Sequence, residues 1–406
     1  MSKQRILLAF SGGLDTSAIV PWLMETYNAE VIAYCSDLGN APDGEYLKKW
    51  AAKLGAVDFI FEDLKDHFAE KFAFAAVRAG ATYQDDYLLG TALGRPLISE
   101  RMAHFAKKFG ATGIAHGATG KGNDQLRFEK SWAYLVPEVK VIAPWKTWNF
   151  KGRQDLLKYI SSKGFDLQSQ EKLYSVDVNL FHRSCEGGIL ESPEKEYNPE
   201  QIYEWVKAPS QISKDSYTVA IEYANGLPVA LNGKKLGPAA LLTELNKLAG
   251  AAGVGVADLV EERANGVKSR GVYETPGGTL LHQSCRSLKH LCWDRPLLSL
   301  SRKIGETYGE LIYDGLWHSE ARVAAETYFQ KAAQTLNGTV TLKLESGQSR
   351  VVSRQSPYAL YDEHMVSFES DEHGLHKFAE GYCKTVSFPQ WRAGRRDART
   401  GHKLEG

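Results

Sequence analysis

A chain of 406 residues exceeds what one ordinary core organises, and its 43% hydrophobic content is ample for two, so two domains or one domain with a large partner are expected. Lysine plus arginine and aspartate plus glutamate are each 49, which removes any global field that would recruit nucleic acid or an acidic membrane. The five cysteines (Cys35, Cys185, Cys285, Cys292, Cys383) are scattered, odd in number and free of any Cys-x-x-Cys pair, the pattern of reduced thiols in a cytoplasmic protein. No apolar run approaches ~20 residues, and the first motif starts too early for a signal peptide to precede it.

The first predicted unit is strand, glycine loop, helix. Ile6-Leu7-Leu8-Ala9-Phe10 suits a strand buried on both faces of a parallel sheet, and Ala18-Ile19-Val20-Pro21-Trp22-Leu23 suits a helix packed on it. Between them, Ser11-Gly12-Gly13-Leu14-Asp15-Thr16-Ser17 offers bare backbone N–H groups and three hydroxyls at a helix N-terminus, a phosphate cradle. It lacks the lysine of a Walker A loop and the spaced glycines of a dinucleotide fingerprint. Ser-Gly-Gly-x-Asp-Thr after an N-terminal strand instead resembles the signature of ATP pyrophosphatase (PP-loop) enzymes, whose loop holds the β and γ phosphates while chemistry proceeds at the α-phosphorus. Pro21 predicts either a kink or an open first turn.

Strands follow at 30–35 and 59–61, with helices at 44–54 and 65–79, which predicts right-handed βαβ crossovers and places Ser36-Asp37-Leu38-Gly39 at the same sheet edge as the loop. Beyond a connection at 83–96 come a helix at 97–109, a strand at 113–116 and a second glycine turn, His116-Gly117-Ala118-Thr119-Gly120-Lys121-Gly122-Asn123-Asp124-Gln125. Its Gly120-Lys121 fails the Walker pattern at both ends, and its place on the sheet edge predicts the opposite wall of one cleft. A strand at 139–144 and a helix at 151–163 close a doubly wound, parallel-sheet nucleotide-binding domain over 1–168. From about residue 170 strands are separated by short turns: 218–223 and 229–231 with Asn225-Gly226 and Asn232-Gly233, helices at 237–249, 278–291, 296–308 and 320–336, and an antiparallel pair at 339–344 and 350–354. That is an α+β domain over 169–365. Residues 366–406 form a basic, weakly periodic tail with Arg392, Arg395, Arg396, Arg399 and Lys403, expected to be a solvated end or a subunit-docking arm.

Taken singly, the stretches at 83–91 and 268–276 read as ordinary turns. Together with the first loop and the stretches 87–96, 116–127, 141–145, 175–191, 260–276 and 317–319, they make the chain resemble the argininosuccinate synthase family up to about residue 365. The resemblance implies an ATP-dependent ligase that joins citrulline to aspartate and releases AMP and pyrophosphate, with Mg²⁺, as a cytoplasmic homotetramer. It implies ATP contacts at Ala9, Phe10, Ser11, Gly12, Gly13, Leu14, Asp15, Thr16, Ser17, Ser36 and Gly117. Citrulline contacts fall on Tyr87, Asn123, Arg127, Ser175, Ser184, Glu261 and Tyr273, and aspartate contacts on Thr91, Thr119, Asn123 and Asp124. Asp15, Asp124 and Arg127 are the implied catalytic residues. The residue types suit zwitterions, since Arg127 can fork onto a carboxylate and Glu261 can accept from an ammonium or ureido group. Ala92 stands where relatives often carry serine, Phe10 stands for a common tyrosine, and the tail leaves the family pattern. A glutamine-dependent amidating ligase would want a glutaminase module with a catalytic cysteine, and none of the five cysteines lies in such a context; a tRNA-thiolating enzyme should show paired cysteines and a basic face, and both are absent; a non-catalytic nucleotide-binding regulator is separated by assay of pyrophosphate release.

Overall fold

The computed structural model describes residues 3–120, 122–165, 173–213, 215–367, 369, 371 and 373–402; Lys121, Lys403 and the expected boundary at 168/169 lie outside them. Strands β1 (Gln4–Ala9), β2 (Ala29–Asp37), β3 (Asp58–Asp63), β4 (Gly113–Ala115) and β5 (Lys140–Ile142) form one parallel sheet in the order β3-β2-β1-β4-β5. Alternate residues serve opposite faces: Ile6 and Leu8 pack with residues of the helices Leu14–Tyr27, Gly44–Lys53 and Arg153–Ser162, whereas Leu7 packs with Met102, Phe128 and Trp132 of the helices Gly90–Phe109 and Asp124–Leu135. The sheet is therefore doubly wound. The chain runs outward from β1 to β3 and then crosses to β4 on the other side of β1, so the switch point, where open α/β sheets bind ligands, lies between the loops that leave β1 and β4.

Prolines bend two expectations. One helix runs Leu14–Tyr27 with Pro21 inside it. The helix expected from residue 97 begins at Gly90, and Pro96 lies within it; Ala92, Leu93 and Leu97 are fully buried along that helix, and their burial outweighs an interior proline's cost of about 3 kcal/mol. Thr91 is thereby a first-turn residue and not part of a connection. The segment 65–79 is also helical but widens to a π-helical turn at Ala69–Ala73.

The remaining strands are antiparallel: β6 (Ser175–Val178), β7 (Arg183–Glu186), β8 (Ser216–Ala224), β9 (Leu227–Leu231), β10 (Lys234–Lys235), β11 (Val256–Glu262), β12 (Lys268–Glu274), β13 (Gly338–Glu345) and β14 (Gln348–Gln355). One sheet has the order β10-β9-β8-β13-β14, with both Asn-Gly pairs at positive φ as type I′ turns require. The other, β11-β12-β7-β6, includes the stretch 268–276 that alone reads as a loop. All three sheets lie in one compact unit, Met1–Tyr358.

A second unit, Ala359–Gly406, holds the helices Leu375–Val386 and Phe388–Thr400. The tail is thus helical where weak periodicity was expected. Phe378, Tyr382, Phe388 and Trp391 are all at least half exposed within it, an apolar stripe without the burial that normally gives such a pattern away. All five cysteines are free thiols, and among the described residues no helix is long and apolar enough to cross a membrane.

Candidate active site

Backbone shape makes the first wall of the site. Gly12 sits at φ +74°, and a Cβ there would lie 2.5 Å from Cδ2 of the fully buried Leu47. Gly13 caps the helix Leu14–Tyr27, so the N–H groups of Leu14, Asp15 and Thr16 have no intrahelical acceptor and the first helical bond is Ser17 N–H to Gly13 O, at 2.9 Å. The hydroxyls expected to serve a ligand are partly spent within the loop. Ser17 Oγ–H donates to Gly12 O at 3.3 Å and accepts from Trp50 Nε1 at 2.8 Å, and Thr16 Oγ1 accepts from Ser11 N–H at 3.3 Å. Ser17 is fully buried, so its hydroxyl shapes the loop. The side chain of Phe10 is buried too, edge-on to Phe59, which leaves its backbone to face the loop. Ala9 ends β1, and Ser36 lies near the end of the adjoining β2. Burial raises the Asp15 carboxyl above its ordinary value, against the pull of its own backbone N–H, the Trp145 side chain and the charge of Arg153.

Gly117 joins the two loops: a Cβ there would be 3.2 Å from Thr16 Cγ2 and 3.8 Å from Asp15 Cβ. Past it, Thr119, Asn123, Asp124 and Arg127 turn to a cavity of about 530 Å³, which Tyr87, Thr91, Ser175, Ser184, Glu261 and Tyr273 also line. Every residue implied for citrulline or aspartate thus faces one cavity, while those implied for ATP sit beside it along the sheet edge. Arg127, almost fully buried, donates from Nε to Tyr313 O at 3.0 Å, lies over the Tyr313 ring at 5.0 Å, and reaches Asp124 Oδ1 from Nη1 at 3.1 Å. Arg95 Nη2 binds Asp124 Oδ2 at 2.7 Å and Asp177 Oδ1 at 3.0 Å. Burial pushes the Asp124 carboxyl up, but Arg95 and Arg127 outweigh it and hold the group below its ordinary value. Asn123 is fixed from both ends, donating to Tyr313 Oη at 2.9 Å and accepting from Ala264 N–H at 3.0 Å.

The second wall is one face of the sheet β11-β12-β7-β6. Asp177, Ser184 and Tyr273 stand opposite one another, as do Ser175, Glu186 and Gly271 two residues along, and then Ser269 and Glu261. Facing partners in antiparallel strands share a face, so the strands offer hydroxyls and carboxylates to the cavity while Cys185 and Val272 pack with Leu190 and Ile202 behind it. Tyr273 Oη–H donates to Glu261 Oε1 at 3.0 Å. Burial first, then the neighbouring Glu186, raise Glu261, and burial likewise raises Glu186, which Arg263 Nη2 reaches at 2.7 Å. Tyr87 Oη accepts from Thr91 N–H at 3.3 Å, and the Tyr87 ring packs 4.7 Å from Tyr273. Arg95, Asp177, His182, Glu186 and Tyr313 were not singled out from the sequence. Arg95 lies four residues after Thr91, one helical turn on, and that spacing is the signal that could have found it once the helix was known to start at Gly90.

A glycine loop at the switch point of a doubly wound sheet, opening onto a cleft lined by carboxylates and guanidinium groups, defines an α/β protein of the nucleotide-binding class. Residues 5–166 match the model described as the arginosuccinate synthase N-terminal HUP domain, and residues 174–392 the one described as the arginosuccinate synthase C-terminal domain. The chain is 44% identical over 390 residues to the argininosuccinate synthase of Clostridium tetani, covering 96% of this chain and 98% of that one. It is 45% identical over 383 residues to that of Caldanaerobacter subterraneus, covering 94% and 93%. The chain belongs to the argininosuccinate synthase family. The C-terminal match reaches residue 392, well past residue 365 where the sequence alone stops resembling the family.

Proposed function

We propose that this enzyme condenses citrulline with aspartate at the expense of ATP. The ureido oxygen of citrulline attacks the α-phosphorus, pyrophosphate leaves toward the N–H groups of the first loop, and the aspartate amine then displaces AMP to give argininosuccinate. The observation that carries this reading is the juxtaposition of the glycine loop with a zwitterion-suited cavity, joined at Gly117. Catalysis then consists of holding three substrates together and neutralising charge on the leaving group, which needs no covalent nucleophile. In this reading Ala9 to Ser17, Ser36 and Gly117 hold ATP; Tyr87, Asn123, Arg127, Ser175, Ser184, Glu261 and Tyr273 hold citrulline; and Thr91, Thr119, Asn123 and Asp124 hold aspartate. Asp124, paired with two arginines, keeps a negative charge with which to meet the aspartate ammonium and orient its amine.

Mg²⁺ fits as a companion of the nucleotide. Among the described residues no three acidic, histidine or cysteine side chains converge on one point, so the phosphates would supply most of its ligands and Asp15 the nearby protein carboxylate. When bound it neutralises the charge of the departing pyrophosphate. We assign ATP binding to residues 1–168, the synthetase and multimerisation part of a cytoplasmic homotetramer to 169–365, and a C-terminal arm to 366–406, whose exposed Phe378, Tyr382 and Trp391 favour a partner surface. Product analysis tests the function: citrulline and aspartate together should elicit AMP and pyrophosphate in equal amounts, and ADP with orthophosphate would reject it.

A further inference from the structure

His182 lines no part of the cavity, yet it is built against a residue that does. It sits in the turn between β6 and β7, fully buried, with its Nε2 2.9 Å from Thr91 Oγ1. The turn is clamped to the start of the helix Gly90–Phe109. Asn179 Oδ1 accepts the N–H groups of Phe181 and His182 at 2.9 and 3.2 Å, while its Nδ2 donates to Gly90 O at 2.8 Å. Gly90 is where the ring and the helix meet, since a Cβ there would lie 2.2 Å from His182 Cγ. The imidazole therefore rests against the backbone of the residue before Thr91, which places it beside the threonine hydroxyl.

The ring's other nitrogen decides which way the hydrogen bond runs. Nδ1 is buried and has no hydrogen-bond partner among the described residues. Burial, with Arg95 and Arg127 nearby, holds the His182 pKa down to about 4 against the opposing charges of Asp177 and Asp124, so near pH 7 the imidazole is neutral and carries one N–H. With that hydrogen on Nδ1, a buried donor would be orphaned, an arrangement native proteins rarely tolerate; with it on Nε2, only a lone pair is left over. The Nε2 tautomer donates to Thr91 Oγ1. The Thr91 backbone N–H is already taken by Tyr87 Oη, so the threonine's one remaining donor is its hydroxyl hydrogen, and the histidine turns that hydrogen outward.

We propose that His182 is a positioning residue that fixes Thr91 as a hydrogen-bond donor toward a carboxylate of the incoming amino acid. The inference rests on the reading of this cleft as the citrulline and aspartate site. It explains how a small hydroxyl can favour one end of a zwitterion: an oriented O–H rewards a carboxylate, while only one lone pair is left for an ammonium.

Steady-state kinetics on variants provide the test. His182→Phe keeps a flat ring but removes the donor, and it should raise the aspartate KM about three- to tenfold with the citrulline KM and the thermal midpoint nearly unchanged. Because His182 acts through Thr91, the same change made in a Thr91→Val background should add nothing. Should the phenylalanine variant not fold, His182→Gln and His182→Asn decide the matter: the glutamine amide reaches the Nε2 position and should retain the aspartate KM, and the shorter asparagine should not. An unchanged aspartate KM in a folded His182→Phe enzyme, an equal penalty with and without the Thr91 hydroxyl, or identical behaviour of the glutamine and asparagine variants would overturn the proposal. A wild-type protein without pyrophosphate release on citrulline and aspartate would instead bring down the functional reading, and this inference with it.

Discussion

The two walls of the site are made from different materials. The wall we assign to phosphate is backbone: a glycine at positive φ, three N–H groups without an intrahelical acceptor and a second glycine loop laid against the first, nearly all of it drawn from residues 9–17 and 117. The wall we assign to the amino acids is side chains, brought together from residues 87 to 273 and held by ion pairs and hydrogen bonds such as Arg127 to Tyr313 O. Backbone donors aimed at an anion need only a local turn, whereas recognition of a zwitterion needs charges of both signs held apart by the fold.

The sharpest way to break this contrast is at Gly12. Gly12→Ala forces a side chain into a left-handed turn against buried Leu47, with strain of about 1–3 kcal/mol, so kcat/KM for ATP should fall about ten- to a hundredfold while equilibrium binding of citrulline is retained. Equal loss of both affinities would mean that the walls are not independent. On the other side, Arg127→Lys keeps the charge but cannot serve Tyr313 O, Asp124 and a ligand from one planar fork. Loss of a charge-assisted hydrogen bond of about 1.5–3 kcal/mol should raise the citrulline KM at least about tenfold, with the ATP KM little changed, in initial-rate measurements.

The smallest effect concerns the scaffold behind the second loop. His116, with Nε2 3.6 Å from Glu129 Oε1, and Lys146, at 2.8 Å, hold the Glu129 carboxyl down to about 2 against the opposing effect of burial. Because that value lies below the ordinary one of 4.5, the stability this group adds is complete above pH 4.5 and is lost as the pH falls toward 2. The thermal midpoint of Glu129→Gln should therefore vary less over that acid range than the wild type's, and parallel curves would contradict the assignment.

The same contrast governs what was legible in the sequence. The first sheet and its loop were, because strand, glycines and helix are contiguous and their apolar pattern follows from burial on two faces. The start of the helix at Gly90 was not, because Pro96 reads as a boundary and only tertiary packing of Ala92 and Leu93 overrides it. The sheet β11-β12-β7-β6 was opaque for a related reason. Its cavity face is polar, so strands such as β12, with Lys268, Ser269, Arg270 and Gly271 in succession, lack the apolar run that marks a strand. Residues on that face, Ser175, Ser184 and Glu261 among them, came from family resemblance and not from periodicity. Tyr313 carries no local mark at all, since its role arises from a partner 186 residues away, and the spacing of Arg95 from Thr91 becomes a signal only once the helix is known to start at Gly90.

The claim that Asp124 serves the attack of aspartate and not the activation of citrulline is tested most directly by rapid-quench detection of the citrullyl-adenylate in Asp124→Ala, with ATP and citrulline present and aspartate omitted. Arg127 stays anchored by Tyr313 and Arg95 by Asp177 when Asp124 is cut away. Adenylate should therefore form at close to the wild-type rate, while the aspartate KM of the complete reaction rises about ten- to a hundredfold, the worth of a charge-assisted hydrogen bond. Collapse of adenylate formation with normal aspartate dependence would contradict the account, and would assign the second loop to ATP or citrulline.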